Sequence, residues 1–228
     1  CEELPPKSLK PLRDALQASV TEQLNEAEIG FDSIKAFAAP RRLAIRIEGI
    51  SDKQPDRSEQ KRGPAIKAAF DSDGNPTRAA MGFAKGLGID ASELITINTD
   101  KGDYVGYEQI IQGQETTELL PTIFQTALDN LPIAKRMRSG ASRNEFVRPV
   151  QWAVLMQDSA VIDATIQGHQ TGKQTRGHRF HSPDYHEITH ANDYEQLLDG
   201  LKVVADFDKR QTYASYTHLR AHETSLQP

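Results

Sequence analysis

Leu94-Ile95-Thr96-Ile97-Asn98, then Thr99-Asp100-Lys101-Gly102-Asp103, then Tyr104-Val105-Gly106-Tyr107-Glu108-Gln109-Ile110-Ile111 form the stretch whose reading decides the fold class. Two runs rich in β-branched and aromatic residues flank a short polar loop with a glycine, the pattern of a β-hairpin. A helix follows. Leu119, Leu120, Ile123, Phe124, Ala127, Leu128 and Leu131 recur at helical spacing, with Pro121 tolerable in a first turn. Strands joined directly to one another and then to a helix do not make the βαβ alternation of a doubly wound sheet.

Working outward, Leu9, Leu12, Leu16, Val20 and Leu24 predict an amphipathic helix with Ser8 as N-cap and Gly30 as stop. Leu43, Ile45 and Ile47 alternate with Arg42, Ala44, Arg46 and Glu48, the period of a half-buried strand. Ser51 to Pro64 is polar and reads as an exposed connection, Asp71 to Pro76 as a turn, and Thr77 as the cap of a short helix through Ala80, Phe83, Ala84 and Leu87. Beyond Pro132, short strands are predicted at Phe146-Val147, Trp152 to Met156 and Val161 to Ile166. Asn192 or Asp193 then caps a helix through Tyr194, Leu197, Leu198 and Leu201. This order predicts an α+β fold of mixed or antiparallel sheets, with helices packed on one face and two lobes. The expected divisions are 1–132, a basic and His-rich 133–210, and a tail at 211–228 whose origin the sequence leaves open.

The chain has 228 residues, 27 Lys+Arg against 32 Asp+Glu, and 37% hydrophobic residues, with a mean hydropathy of -0.58. That length buries a real core. No apolar run is long enough for a membrane helix, and Cys1-Glu2-Glu3-Leu4-Pro5-Pro6 has neither the basic nor the apolar region of a secretory signal. One cysteine excludes an intramolecular disulfide framework and a multi-cysteine zinc site, and fits a reducing compartment. A start at Cys1 reads as a processed chain or a fragment.

The net charge of -5 argues against a basic coat over the whole surface, but its distribution is uneven. Lys135, Arg136, Arg138, Arg143 and Arg148 face one acid, Glu145; Lys173, Arg176 and Arg179 have none between Gly172 and His181. All seven histidines fall between His169 and His222. Lys135, Arg136, Arg138, Arg148, Lys173, Arg176, His178 and Arg179 are the candidate phosphate contacts, with Phe180 available for stacking. Ordinary ion pairing with surface acids is the competing reading.

Other motifs compete for function. His186-Glu187-Ile188-Thr189-His190 matches H-E-x-x-H, which binds zinc when a helix sets both histidines on one face and the glutamate activates water. The following cap at Asn192 or Asp193 argues against a helix here. A site using His178, His181 and His186 has no fixed ligand geometry. Gly168 to Thr175 misses the phosphate-loop spacing, and Gln174 stands where its hydroxyl belongs. Gly82, Gly86 and Gly88 miss the dinucleotide spacing, and no serine sits in a nucleophile elbow.

Taken in order, Glu2-Glu3-Leu4-Pro5-Pro6-Lys7, Ala39-Pro40-Arg41-Arg42-Leu43-Ala44, Arg62-Gly63-Pro64-Ala65, Asn98 to Tyr104, Lys135-Arg136-Met137-Arg138, Phe146 to Trp152 and Thr175-Arg176-Gly177-His178-Arg179-Phe180 resemble the N-terminal part of the bacterial-type glycyl-tRNA synthetase β subunit. The resemblance runs to about Arg210. It implies an earlier start with an apolar strand, whose absence leaves a sheet edge unpaired, and a longer continuation in place of Thr212 to Pro228. It departs at Cys1, where threonine is usual, and at Ser139, where tryptophan is common. The resemblance further implies a cytoplasmic two-α, two-β enzyme that joins glycine to tRNA(Gly). ATP with magnesium is used through the α subunit, while this part of β binds no cofactor and supplies tRNA contacts and assembly. It implies no catalytic residue here. A zinc hydrolase built on His186, Glu187 and His190, and a module that only docks the α subunit, are the alternatives.

Overall fold

The computed structural model describes residues 1–71, 74–99, 102–138 and 143–214. They form two compact units, one of residues 1–54 with the chain from 114 onward, the other of residues 55–113. This division falls elsewhere than 132/133. Leu120, Ile123, Ala127 and Leu131 share one core with Phe146, Val147, Leu155 and Ile162, so a cut at 132 would pass through continuous packing.

The first unit opens with α1 (Pro6–Glu26), whose buried residues Leu9, Leu12, Leu16, Val20 and Leu24 are the stripe read from the sequence. Its start is two residues earlier than Ser8. Pro6 takes the first helical position, where a fixed φ and a missing N–H cost nothing. The helix ends at Glu26, before Gly30. Next come β1 (Ser33–Ala39) and β2 (Arg42–Glu48), antiparallel, with Ser33 opposite Glu48 and Ala39 opposite Arg42. β1 has no sequence signal because alanine is a poor strand former. The hairpin is covered on both faces. Ile34, Ala38, Leu43, Ile45 and Ile47 pack into the core of α1, whereas Phe37 and Ala44 pack against Leu198, Val203 and Ala205. β2 is therefore not half-solvated, and helices flank the hairpin on two sides rather than one.

The second unit holds β3 (Arg57–Ala65), α2 (Ile66–Ala69), α3 (Arg78–Leu87), β4 (Ile95–Thr99) and β5 (Gly102–Ile111). Its sheet order is β3-β5-β4, all antiparallel. β4 and β5 are the predicted hairpin; Asp100 and Lys101 of its loop lie outside the described residues, as do Ser72 and Asp73 of the 71–76 turn. β3 corrects the reading of Ser51 to Pro64 as a connection. Its first four residues are exposed and held by main-chain pairing to β5, so no apolar alternation marks them. Val105, Ala69 and Ala80 form the small core, joined by Ile66, Phe70, Phe83 and Leu94. α3 begins after Thr77, whose hydroxyl donates to the Ala68 carbonyl at 2.6 Å instead of capping the helix. It closes at Gly88, whose φ of 74° is a left-handed conformation that glycine adopts without strain.

The chain returns to the first unit with α4 (Thr116–Asp129). Thr116 is fully buried; its N–H and hydroxyl donate to the carbonyls of Asp52 and Ser51 at 2.7 and 2.5 Å, which anchors the helix start. Pro121 is the sixth residue of α4, past the first turn. Short strands follow: β6 (Met137–Arg138), β7 (Glu145–Phe146), β8 (Ala153–Val154), β9 (Met156–Gln157), β10 (Ala160–Val161), β11 (Thr165–Ile166), β12 (His169–Gly172), β13 (Gln174–Arg176) and β14 (Tyr185–Glu187). All pair antiparallel except β12 with β8. The fold is thus α+β with mixed sheets. α5 (Tyr194–Gly200) follows Asp193, whose side chain makes no capping bond. Residues 207–214 are helical, and the expected tail from 215 onward lies outside the described residues. No helix among the described residues is long and apolar enough to cross a membrane.

Lys35 ties this outer layer to the hairpin. Its ammonium lies 3.0 Å from Glu195 on α5, 2.9 Å from Asp206, and 4.9 Å from the Phe37 ring centre. Burial alone lowers the Lys35 pKa, but the hydrogen bonds to Asp206 and Glu195 outweigh it and raise it above its ordinary value. Glu195 is held below the usual carboxylate value by hydrogen bonds from Lys209 and Lys35. Burial raises Asp206, and the bonds from Lys35 and the 208–209 backbone more than reverse this. Depressed carboxyls contribute stability that is complete above their unfolded value of roughly 4 and lost as pH falls through the folded values. Urea unfolding at pH 7 and pH 3 should show a stability loss smaller in Lys35→Met than in the parent, by on the order of 1 kcal/mol. Leu12→Ala, which empties a position 1% exposed, should lower the unfolding free energy by about 3 kcal/mol at both pH values.

Candidate nucleic-acid interface

The first basic segment forms around the β6–β7 hairpin, in which Met137 faces Phe146 and Arg138 faces Glu145. α4 ends at Asp129, and its last carbonyls need donors. Arg136 supplies them. Its guanidinium donates to the carbonyls of Asp129 and Leu131, the latter at 3.4 Å, and to that of Glu145 at 3.3 Å. This proposed phosphate contact is thus engaged in fastening the helix end to the hairpin. Arg138 forms an exposed ion pair with Glu145 at 3.1 Å. Lys135, Arg143 and Arg148 are exposed, and Arg148 reaches the Met137 sulfur at 3.7 Å. Ser139, singled out in the sequence, lies outside the described residues.

The second segment is built by β12, β13 and β14. Lys173 pairs with Glu187. Arg176 sits opposite Tyr185 in the β13–β14 register, 4.8 Å from its ring centre, and its Nε donates to the Pro183 carbonyl at 3.0 Å. His178 accepts at Nδ1 from the backbone N–H of Phe180 and His181, at 3.2 and 3.3 Å, and packs on the His181 ring at 4.7 Å. Arg179 lies 5.5 Å from the centre of the Phe180 ring and 3.4 Å from Glu3.

Residues 1–4 run beside both segments. Glu2 N–H donates to the Pro149 carbonyl at 2.9 Å, its carboxylate meets Gln151 and stands 3.9 Å from Arg41, and Glu3 meets Arg179. The segments are acid-poor along the chain but not in space: Glu145, Glu187 and Glu3 each neutralise one cation. These pairs are exposed, contribute little to stability, and are exchangeable for phosphate.

The competing motifs are resolved by their backbone. His186 and Glu187 lie in β14, where successive side chains point to opposite faces, so the helix required by H-E-x-x-H is not formed. His186 Nε2 hydrogen-bonds the Ser182 hydroxyl at 2.9 Å, and His190 Nδ1 accepts from the Asn192 N–H at 3.2 Å. No group of three or more His, Cys, Asp or Glu suited to a metal occurs among the described residues; His218 and His222 lie outside them. Gln167 and Gly168, with φ of 49° and 79°, make the tight turn between β11 and β12, so the glycine there closes a hairpin rather than a phosphate loop.

Sequence reasoning places Arg42 on a solvated strand face, but it is only 7% exposed. Its Nη2 donates to the Arg176 carbonyl at 2.8 Å, its guanidinium lies 6.0 Å from the Trp152 ring centre, and among the described residues no carboxylate pairs with it. Burial pushes its pKa below the ordinary arginine value. Arg42 lines a groove of about 450 Å³ bordered by residues 42–50 on one side and 152–158 on the other. Two adjacent arginines carry no signal that tells the buried Arg42 from the half-buried Arg41.

Residues 1–225 match the family described as "Glycyl-tRNA synthetase beta subunit". The chain is 58% identical over 215 residues to the glycine–tRNA ligase beta subunit of Moraxella catarrhalis, covering 92% of this chain and 81% of that protein. It is 55% identical over 211 residues to the protein so named in Acinetobacter baumannii (strain AYE), again across 92% of this chain but 31% of that protein. The corresponding protein of Chromohalobacter salexigens is 48% identical over 210 residues, 92% of this chain and 30% of its own length. The chain thus spans less than a third of the last two relatives. The motifs that run in order from Glu2 to Phe180 therefore have a common origin: this chain belongs to the glycyl-tRNA synthetase beta subunit family.

Proposed function

We propose that this chain is the N-terminal part of the β subunit of a cytoplasmic glycine–tRNA ligase, where it contacts tRNA(Gly) and helps assemble the subunits without carrying out a chemical step. The observation that supports RNA contact is the exposure of Lys135, Arg138, Arg148 and Arg179 on two short segments, both reached by residues 1–4. Phosphates displace the weak carboxylate partners of such side chains with release of condensed counterions, so affinity falls steeply with salt. Activation of glycine with ATP and magnesium is assigned to the α subunit, the two subunits working as an α2β2 tetramer. No catalytic residue is assigned to this chain, and the family membership favours the ligase reading over a zinc hydrolase.

In the complete β subunit assembled with its α subunit, replacing Lys135, Arg138, Arg148 and Arg179 together by Ala should weaken tRNA binding at least about tenfold. The plot of log affinity against log salt should become shallower by roughly 3 to 4. Unchanged affinity and slope would remove the RNA reading. Arg136→Ala should behave differently. It strands the carbonyls of Asp129 and Leu131, so it should reduce unfolding stability by about 1 to 3 kcal/mol while leaving the salt slope as it is.

A further inference from the structure

Phe180 is 78% exposed, well above the Tyr185 value of 50% in the same region. Tyr185 has a structural partner, because Arg176 lies opposite it in the strand register and stacks on its ring. Phe180 joins none of the apolar clusters formed by the described residues. Its ring neighbours are Arg179 and the tilted His178 ring, whose centre is 6.2 Å away. An exposed phenylalanine kept by a cationic surface asks for a ligand with both a flat apolar face and negative charge.

The loop that carries Phe180 is fastened at each step. His178 N–H donates to the Leu201 carbonyl and Ser182 N–H to the His178 carbonyl, both at 2.9 Å. His178 Nδ1 takes the N–H groups of Phe180 and His181, which makes Nε2 the protonated nitrogen of the neutral ring. Arg176 holds the Pro183 carbonyl, and Ser182 holds His186. At Gly177 a Cβ would stand 2.8 Å from the Ser182 carbonyl oxygen, so the tight return of the loop needs glycine. The ring is consequently presented by a preordered backbone, and little ordering entropy is lost when something lies on it.

We propose that Phe180 is a stacking platform for one unpaired RNA base, with Arg179 beside it meeting the adjoining phosphate. This rests on the RNA reading above and narrows it: bases inside a duplex present no free face, so the loop selects single-stranded or extruded nucleotides. A protein pocket is the poorer occupant, because Arg176, Arg179, His178 and His181 would have to be desolvated around the ring.

The test uses the complete β subunit with its α subunit and two RNA probes of equal length, a single-stranded oligoribonucleotide containing 2-aminopurine and a duplex. Binding of the single strand should quench 2-aminopurine fluorescence. Phe180→Ala should weaken single-strand binding about tenfold, the size expected for one stacked base, leave the duplex within about twofold, and leave the salt slope unchanged because no charge is removed. Phe180→Trp should restore the affinity. Equal loss on both probes, or no loss on the single strand, would overturn the proposal, as would loss of α-subunit co-purification with RNA binding intact. The two readings fail separately: RNA binding with a steep salt slope that is indifferent to Phe180→Ala sinks only the platform, whereas no RNA binding by the parent protein sinks both. High exposure of Phe180 predicts an unchanged thermal midpoint, which checks that each variant is folded.

Discussion

A two-stranded hairpin with apolar residues on both faces cannot stand in water, and the first unit is organised around drying this one. On one side Ile34, Ala38, Leu43, Ile45 and Ile47 need α1 and α4; on the other, Phe37 and Ala44 need α5 and the Val203–Ala205 segment. Lys35 and Arg46 share the second face with Phe37, and their charges are placed over its ring, at 4.9 and 6.0 Å. The Lys35 bonds to Glu195 and Asp206 therefore do more than add an ion pair. They fix the height of the outer layer above a strand that would otherwise expose a phenylalanine. His178 donates its backbone N–H to the carbonyl of Leu201, just past α5, so the basic loop inherits its position from the same layer.

Legibility in the sequence followed the physical origin of each element. Helices α1 and α4 and the β4–β5 hairpin owe their form to apolar periodicity, and periodicity is visible in a string of letters. β1 is alanine-rich, and β3 is polar and held by main-chain hydrogen bonds, so neither leaves a side-chain pattern to find. The same reason explains the boundary at 132, where a proline and a change in charge suggested a new lobe. Core continuity from Leu120 to Phe146 is a property of space, not of composition.

Charge shows the contrast most sharply. Clustering along the chain groups Arg136 and Arg176 with the candidate phosphate contacts, whereas in space each donates to backbone carbonyls. Conversely, of the acids that complement the segments, Glu145 and Glu187 lie nearby in the chain, but Glu3 comes from more than a hundred residues away. The tRNA contact proposed here therefore depends on fewer cations than a linear count suggests, and Phe180 gains weight as the exposed ring among them.

The groove beside Arg42 has a bearing on solubility. β2 pairs with β1 on one edge, β8 pairs with β12 on one edge, and residues of both strands border the groove. Bare strand edges are templates for aggregation. Along this groove Arg42 is already buried, with its Nη2 on the Arg176 carbonyl and no carboxylate paired to it among the described residues, so the fold itself bears the cost of a buried charge beside an edge. A strand approaching this edge meets an inward-pointing charge rather than a continuous apolar face, a feature that works against edge-to-edge pairing.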